Sequence, residues 1–117
     1  MLNKVLLIGN FGSDPVLRRT ENKDVPVCNI SIATKETWSE QGEKKERVEW
    51  HRLVFWRRNA EIVCDHMKKG SKVWIEGKLQ TRTFTKDGDE KQVTEIIVDK
   101  ILMLGGGGSS NGNDIPF

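Results

Sequence analysis

Apolar and polar residues alternate in short runs over the first 104 positions of the chain, and turn signals separate these runs. In residues 26–34, Cys28, Ile30 and Ile32 fall on one face, and small or polar residues fall on the other. This period of two is typical of a β-strand with one buried side. Similar β-rich runs predict further strands over residues 3–9, 47–56, 71–77, 78–85 and 92–104.

One segment has the spacing of a helix instead of a strand. Within residues 59–69, Ile62, Val63 and Met67 form an apolar stripe. Gly70 follows this segment directly, and glycine is a common helix stop. The sequence therefore predicts a single helix, placed between the third and fourth strands.

Turn signals complete the order of the elements. Gly9 to Gly12 interrupts the first run, and a charged loop is expected at residues 39–46. Asp87-Gly88 is a hairpin signal between the last two runs. Five short strands with one helix between strands 3 and 4 are the layout of a mainly β, five-stranded OB-fold barrel. Other small α+β domains share these counts, so the order of elements alone leaves them open.

The composition changes abruptly after Leu104. Residues 105–113 consist only of Gly, Ser and Asn, which favours a flexible, disordered linker. The last four residues are Asp114, Ile115, Pro116 and Phe117. An apolar end on a flexible tether predicts a protein-docking tip, and a frayed end without a role is the alternative. The expected organisation is a domain at 1–104, a linker at 105–113 and a tip at 114–117.

Charge and cysteine usage narrow the possible classes only slightly. The chain has 19 basic and 17 acidic residues, and this small excess does not establish a nucleic-acid partner. Cys28 and Cys64 lack CxxC spacing and are expected to be reduced thiols. Only His51 and His66 could join them, so no metal site is expected. No export signal or membrane-length apolar run is visible, which predicts a cytoplasmic protein with no membrane partner.

Residues 49–56 form the strand with the most informative chemistry. Alternation places Leu53 and Phe55 on one face, which we expect to be the barrel interior. The opposite face then carries two rings, one cation and one valine: Trp50, Trp56, Arg52 and Val54. Flat rings beside a guanidinium suit unstacked bases, and each stack contributes about 1–3 kcal/mol. The alternative is that the two tryptophans line a protein interface or the core.

Further aromatic and basic residues predict the rest of a binding surface. Trp38 precedes the charged loop, where its ring could cover a ligand. A later strand carries basic residues and a ring on its even-numbered side: Lys78, Arg82, Phe84 and Lys86. Cations that contact phosphates and rings that stack on bases are the two parts of a single-strand groove. The alternative for Arg82 and Lys86 is an ordinary solvated face.

Trp74 is predicted to face outward because its neighbours Val73 and Ile75 are expected to face inward. An outward tryptophan at this position either stacks on a nucleic acid or packs against another subunit. The sequence favours the subunit contact.

Several short motifs, taken in their order, resemble the bacterial single-stranded DNA-binding protein family (SSB). They are Asn3-Lys4-Val5, Gly9-Asn10, Asp14-Pro15, Trp50-His51-Arg52, Lys69-Gly70-Ser71, Ile75-Glu76-Gly77, Thr81-Arg82 and the ending Asp114-Ile115-Pro116-Phe117. No single tripeptide is specific, but the order and spacing of all of them are. The resemblance covers nearly the whole body and the extreme C-terminus.

The resemblance implies an OB-fold domain that assembles as a homotetramer in the cytoplasm, associated with the nucleoid. It implies that Trp38, Trp50, Trp56 and Phe84 stack on bases, and that His51 lies near the subunit interface. It also implies that the Ile-Pro-Phe end docks proteins of DNA replication, recombination and repair. The chain departs from the family in its short linker, whose root-mean-square reach is roughly 15–18 Å, and in having Asp114 as the one acid of its tip.

The expected function is sequence-independent binding and protection of single-stranded DNA. No HExxH or phosphate-loop spacing is visible, so neither an enzyme nor a cofactor is expected. The competing hypothesis is an OB-fold accessory replication factor whose exposed rings form a protein interface. RNA binding also stays open, because nothing in the sequence distinguishes a 2′-hydroxyl.

Overall fold

The computed structural model describes residues 1–106. This part of the chain contains six β-strands and one α-helix. In chain order they are β1 (Val5–Phe11), β2 (Arg18–Arg19), β3 (Pro26–Glu40), β4 (Glu43–Trp56), α1 (Arg58–His66), β5 (Ser71–Lys86) and β6 (Asp89–Gly106). The predicted linker beyond Gly106 and the tip at 114–117 lie outside the described residues. No helix within residues 1–106 has the length and apolar character needed to span a membrane.

The strands form one sheet that closes on itself. Its order is β1-β5-β6-β4-β3-β2, and β1 also pairs with β3 through Phe11 and Ile32. β4 and β6 run parallel where Leu53 pairs with Ile96, whereas the other pairings are antiparallel. The five long strands make a closed barrel, and α1 lies between β4 and β5. This confirms the predicted five-stranded barrel with one helix.

The core lies inside the barrel, where the alternating apolar positions meet. Cys28, Ile32 and Phe55 are completely buried, and the rings of Phe11 and Phe55 pack 6.4 Å apart between centroids. The helix α1 adds its apolar face to this core. The fully buried side chains include Leu53, Val63, Val73 and Ile75. The inward positions predicted from the period of two are therefore confirmed.

The β3–β4 ribbon replaces the charged loop predicted at residues 39–46. The two strands stay paired out to Glu40 and Glu43, and Gln41 and Gly42 form the turn with φ angles of 52° and 80°. Both central residues have positive φ, as in a type I′ hairpin turn. The loop prediction was wrong because charged residues can pair across strands as well as hydrate.

The predicted strands 71–77 and 78–85 are one long strand, β5, which bends at a bulge between Glu76 and Gly77. A Cβ at Gly77 would collide with the backbone oxygen of Ile97, so the two backbones approach closely only because this residue is glycine. The predicted hairpin at Asp87-Gly88 is confirmed, since it joins β5 to β6.

Several element boundaries differ from the prediction. β1 continues to Phe11, through the expected break at Gly9, because Gly9 lets β1 pass close to β3: a Cβ there would lie 2.6 Å from the Ala33 oxygen. The helix ends at His66, since Met67 has an extended backbone. β6 runs to Gly106, two residues past the predicted domain boundary. The short strand β2 was not predicted.

Both cysteines are free in the structure. Cys28 is completely buried, and Cys64 on α1 packs against the same core. Burial, and then the neighbouring Cys64 thiol, raises the pKa of Cys28 to about 12. Cys28 therefore stays a neutral thiol at physiological pH. Within residues 1–106, no cluster of three His, Cys, Asp or Glu side chains could hold a metal ion.

Candidate nucleic-acid interface

A groove crosses the outer face of the sheet made by β3, β4, β5 and β6. On β4, Leu53 and Phe55 occupy the barrel interior, so the alternate positions Trp50, Arg52 and Trp56 lie outside. Across the ladder, the partners on β3 that share this outer face are Val27, Asn29, Ser31 and Ala33. Val54, also predicted to face outward, is only 4% exposed, because it forms part of the groove floor.

Three adjoining depressions make up the groove. The first has a volume of about 440 Å³ and is lined by Trp50, Arg52 and Arg82 among others. The second, of about 330 Å³, is lined by Arg82 and Trp56, and it shares Asn29 with the first. The third, of about 220 Å³, lies against Trp50 on the side of His51, Leu79 and Thr94. A continuous path therefore runs from one tryptophan to the other.

The two tryptophans are the most prominent rings of the groove. Trp50 is 58% exposed and Trp56 is 40% exposed, although both are large apolar side chains. They are six residues apart on β4, which is at most about 20 Å along a strand. Both rings therefore lie on one surface, with room between them for ligand groups.

The ring of Trp50 rests on the backbone at Gly12. A Cβ at Gly12 would lie 2.6 Å from Cζ3 of Trp50 and 3.3 Å from the backbone oxygen of Ser31. The Gly12 N–H donates a 2.9 Å hydrogen bond to that same Ser31 oxygen, which holds the segment against β3. A glycine at this position lets the ring lie flat against the barrel beside the groove.

Arg82 and Glu95 form an ion pair in the middle of the groove. Nε and Nη2 of Arg82 donate hydrogen bonds of 2.9 Å and 3.3 Å to the two oxygens of the Glu95 carboxylate, which is almost completely buried. The guanidinium also lies 5.5 Å from the centroid of the Phe84 ring. The hydrogen bonds that Arg82 donates to Glu95, and then the charge of that carboxylate, raise the pKa of Arg82. The guanidinium is therefore held as a fixed plane, and its charge is largely compensated.

Arg52 lines the first and third depressions without such compensation. Its side chain is exposed, and within residues 1–106 it makes no hydrogen bond or ion pair. The groove thus contains one guanidinium that is fixed and neutralised and one that is free to meet an anion.

The remaining predicted residues of β5 share the face of Arg82 but line none of the three depressions. Paired residues of β5 and β6 keep an unbroken register from Lys78–Ile97 to Lys86–Asp89, so the even positions stay on one side. Lys78 lies near the barrel, and Lys86 lies at the far end of the β5–β6 hairpin. Phe84 reaches the groove only through its contact with Arg82.

Trp38 lies apart from the groove. The register between β3 and β4 is unbroken from Ala33–Trp50 to Trp38–Lys45, so Trp38 and Trp50 occupy opposite faces of the ribbon. The indole Nε1 of Trp38 donates a 3.3 Å hydrogen bond to Glu40, and the residue is 41% exposed. The structure therefore does not bring Trp38 together with the other predicted rings.

The two residues predicted at a subunit interface lie on different surfaces. His51 is half-buried at one end of the groove, and its Nε2 lies 2.9 Å from the hydroxyl of Thr34. Trp74 lies on the outer face of β1, β5 and β6, where the register aligns it with Ile8 and Leu102. We call these three residues, two aliphatic side chains on either side of an indole ring, the aliphatic row: Ile8, Trp74 and Leu102.

The sequence analysis missed Glu95, Asn29 and Gly12 as parts of the groove. A signal for Glu95 was present, since it is a single acid within an otherwise apolar part of β6 and such an acid requires a cationic partner. Asn29 could have been found from its outward position on β3. Gly12 carried no signal, because its role depends on a ring 38 positions further along the chain.

Comparison with known proteins gives a family match. Residues 2–104 match the sequence model described as "Single-strand binding protein family". Two curated relatives, each called single-stranded DNA-binding protein, come from Neisseria meningitidis serogroups A and B. Each is 43% identical over 113 residues, covering 95% of this chain and 64% of the relative. This chain thus spans 64% of the length of these relatives.

A solved structure matches over nearly the same region. It is described as the Plasmodium falciparum SSB in complex with ssDNA, and it superposes with a TM-score of 0.78. The two sequences are 33% identical, and the match covers 89% of this chain and 96% of that chain.

Proposed function

Because the chain belongs to the single-strand binding protein family, we propose that it binds and protects single-stranded DNA without sequence preference during replication, recombination and repair. The observation that carries this proposal is the placement of Trp50 and Trp56 on one continuous groove with an uncompensated Arg52 between them. Every base has a π-face, so stacking on such rings is tolerant of sequence.

The groove supplies the two contributions that a single strand needs. Bases stack on Trp50 and Trp56, at about 1–3 kcal/mol for each base. Arg52 neutralises phosphates in the groove, and Lys78 and Lys86 do so on the face of β5 that carries Arg82, which makes the affinity depend on salt. The fixed plane of Arg82, supported by Phe84, offers a further surface for a base rather than a free charge.

Trp38 stays a prediction as a stacking residue. Its ring lies on the other face of the β3–β4 ribbon, so it contacts only DNA that leaves the groove and crosses the ribbon. We propose that such DNA passes from one subunit of a homotetramer to the next.

The aliphatic row supports the proposed self-association. Ile8 and Leu102 are 38% and 39% exposed, and Trp74 lies between them. The cations beside the row, Lys4 and Lys100, both face Glu76 at 3.8 Å and 3.9 Å. A third cation of this face, Lys72, makes no ion pair within residues 1–106. The row itself is an unbroken run of large apolar groups, which suits another copy of the chain better than a phosphate backbone. His51 stays a prediction as an interface residue.

The tip at 114–117 is proposed to recruit proteins of DNA replication, recombination and repair through Ile115, Pro116 and Phe117. The protein acts by binding alone, without catalysis or a cofactor, in the cytoplasm and on the nucleoid. The proposed recruitment of partner proteins rests on the sequence of the tip, which lies outside the described residues.

Tryptophan fluorescence during titration with oligothymidine tests the proposal. We expect strong quenching by the single strand and little by duplex DNA of the same length, because only unpaired bases can stack on the rings. The affinity should fall as salt rises, and the slope counts the phosphate contacts. Absence of both quenching and binding would favour the accessory replication factor, in which the rings contact protein.

A further inference from the structure

The groove does not end at Trp56. On the far side of this ring lies another depression, of about 370 Å³, whose walls include Trp56, Arg57, Lys23 and Val25. Its remaining lining residues are Thr20, Glu21 and Asn22. Trp56 is thus a shared wall between this depression and the groove. A strand that stacks on Trp56 therefore continues directly into this fourth depression.

Arg57 has a backbone conformation that a bulky residue rarely adopts. Its φ of 56° and ψ of −124° are those of the first central residue of a type II′ turn, a position that glycine normally fills. Non-glycine residues in such regions are strained, and they persist where the surrounding structure or a function requires them. A glycine would adopt this conformation without strain.

The fold gives no reason for an arginine at this position. The Arg57 N–H donates a 2.8 Å hydrogen bond to the Pro26 oxygen, and its own oxygen accepts a 3.2 Å bond from the Glu61 N–H. Both are backbone bonds that a glycine would also make. The Arg57 side chain does not cap α1, and within residues 1–106 it makes no hydrogen bond or ion pair. The side chain is exposed beside Trp56 instead.

The charge around the depression suits an anion. Lys23 and Arg57 both line it and make no ion pair within residues 1–106, whereas Glu21 is the acid in the lining. Nη1 of Arg19 donates a 3.3 Å hydrogen bond to the backbone oxygen of Asp24, so one more cation lies against the segment that contains Lys23. The depression therefore continues the groove in both its shape and its cationic character.

We propose that Arg57 and Lys23 form a phosphate subsite for the nucleotide that follows the base stacked on Trp56. The ligand is the phosphodiester of a single strand leaving the groove, and this inference rests on the proposed function. The strained backbone of Arg57 is retained because it aims the guanidinium at that phosphate beside the ring.

The test uses Arg57→Gly in the full-length chain. We expect an equal or higher melting temperature, because the strain is relieved, and a lower affinity for long oligothymidine. The slope of log K against log salt should become smaller by about 0.7, the value for one phosphate of a single strand. Arg57→Lys keeps both the charge and the strain, so it should retain the wild-type slope.

Gln41→Gly is the matched control. Gln41 also has a positive φ, of 52°, but it lies at the tip of the β3–β4 ribbon. This variant should also show an equal or higher melting temperature, with no change in DNA affinity. In a series of oligothymidines, the loss in Arg57→Gly should appear only above a threshold length that reaches past Trp56.

Two results would overturn the subsite. One is an unchanged affinity and salt slope in Arg57→Gly. The other is an equal loss at every oligothymidine length, which would mean that Arg57 acts only through Trp56. Failure of the proposed function is distinguishable from both, because the wild-type chain would then bind no oligothymidine.

Discussion

Two faces of the same barrel expose large apolar side chains, and they differ in what surrounds those side chains. On the groove face, Trp50 and Trp56 lie beside the free cation Arg52. On the outer face of β1, β5 and β6, Ile8 and Leu102 flank Trp74 in one row, and two of the nearby cations, Lys4 and Lys100, share the carboxylate of Glu76. Exposed apolar area alone therefore does not identify a ligand. Rings beside a free cation in a groove suit nucleic acid, whereas an unbroken row of apolar side chains suits protein.

The most severe test of this comparison places a charge in the aliphatic row. Ile8→Glu would bury an unpaired carboxylate in the proposed subunit contact, at a cost of about 3–5 kcal/mol to assembly. We expect smaller particles by analytical ultracentrifugation and unchanged affinity for a short oligothymidine. Val16→Glu is the control, since Val16 is 62% exposed outside the row. If the particle mass of Ile8→Glu is unchanged, the aliphatic row does not form the subunit contact.

The reverse test removes a ring from the groove. Trp50→Ala should weaken oligothymidine binding about tenfold or more, because one base stack contributes about 1–3 kcal/mol. Fluorescence anisotropy of a labelled oligothymidine measures this without relying on the lost tryptophan. The particle mass should stay the same. If the mass changes and the affinity for short DNA does not, the functions assigned to the two faces are exchanged.

Within the groove, Arg52 and Arg82 should respond differently to substitution. Arg52→Ala removes a free charge, so it should reduce the salt slope by about 0.7 with little effect on the melting temperature. Arg82→Ala leaves the buried Glu95 carboxylate without its partner, so it should lower the melting temperature. Salt titrations and thermal melts of both variants measure the difference. Identical behaviour of the two would contradict the compensation that we infer for Arg82.

The smallest effect is expected from displacing a ring instead of removing it. In Gly12→Ala, the new Cβ would meet the outer end of the Trp50 ring at 2.6 Å, and the ring must swing away. We expect a loss of DNA affinity smaller than that of Trp50→Ala, with a nearly unchanged melting temperature. Ser13→Ala, at a neighbouring position of the same depression, should leave the affinity intact. A large drop in stability would show that Gly12 serves the fold and not the ring.

Alternation along single strands carried most of the correct prediction. It placed Leu53 and Phe55 in the core and Trp50, Arg52 and Trp56 outside, because the side chains of a strand alternate strictly. It could not place Trp38, whose face depends on whether the register with β4 stays unbroken through the ribbon. The sequence of residues 39–46 is compatible with either a loop or paired strands.

Contacts between distant strands were not predictable in the same way. The ion pair of Arg82 with Glu95 joins β5 to β6, and the position of Trp50 against Gly12 joins β4 to the end of β1. The first depends on the register of the β5–β6 hairpin, and the second depends on the closed barrel, which brings the end of β1 beside β4. The strained Arg57 was also invisible in the sequence, since nothing in the order of residues shows a backbone angle.

The β3–β4 ribbon has a consequence for behaviour in a crowded solution. Beyond the barrel, β3 and β4 pair only with each other, so each has an outer edge that could add a strand from a neighbouring molecule. The ribbon carries alternating charges, with Lys35 facing Glu46 at 3.4 Å and Lys45 facing Glu43 at 3.1 Å. Such charges discourage edge-to-edge aggregation. The charged edges of the β3–β4 ribbon therefore oppose fibril growth when copies of the chain lie side by side.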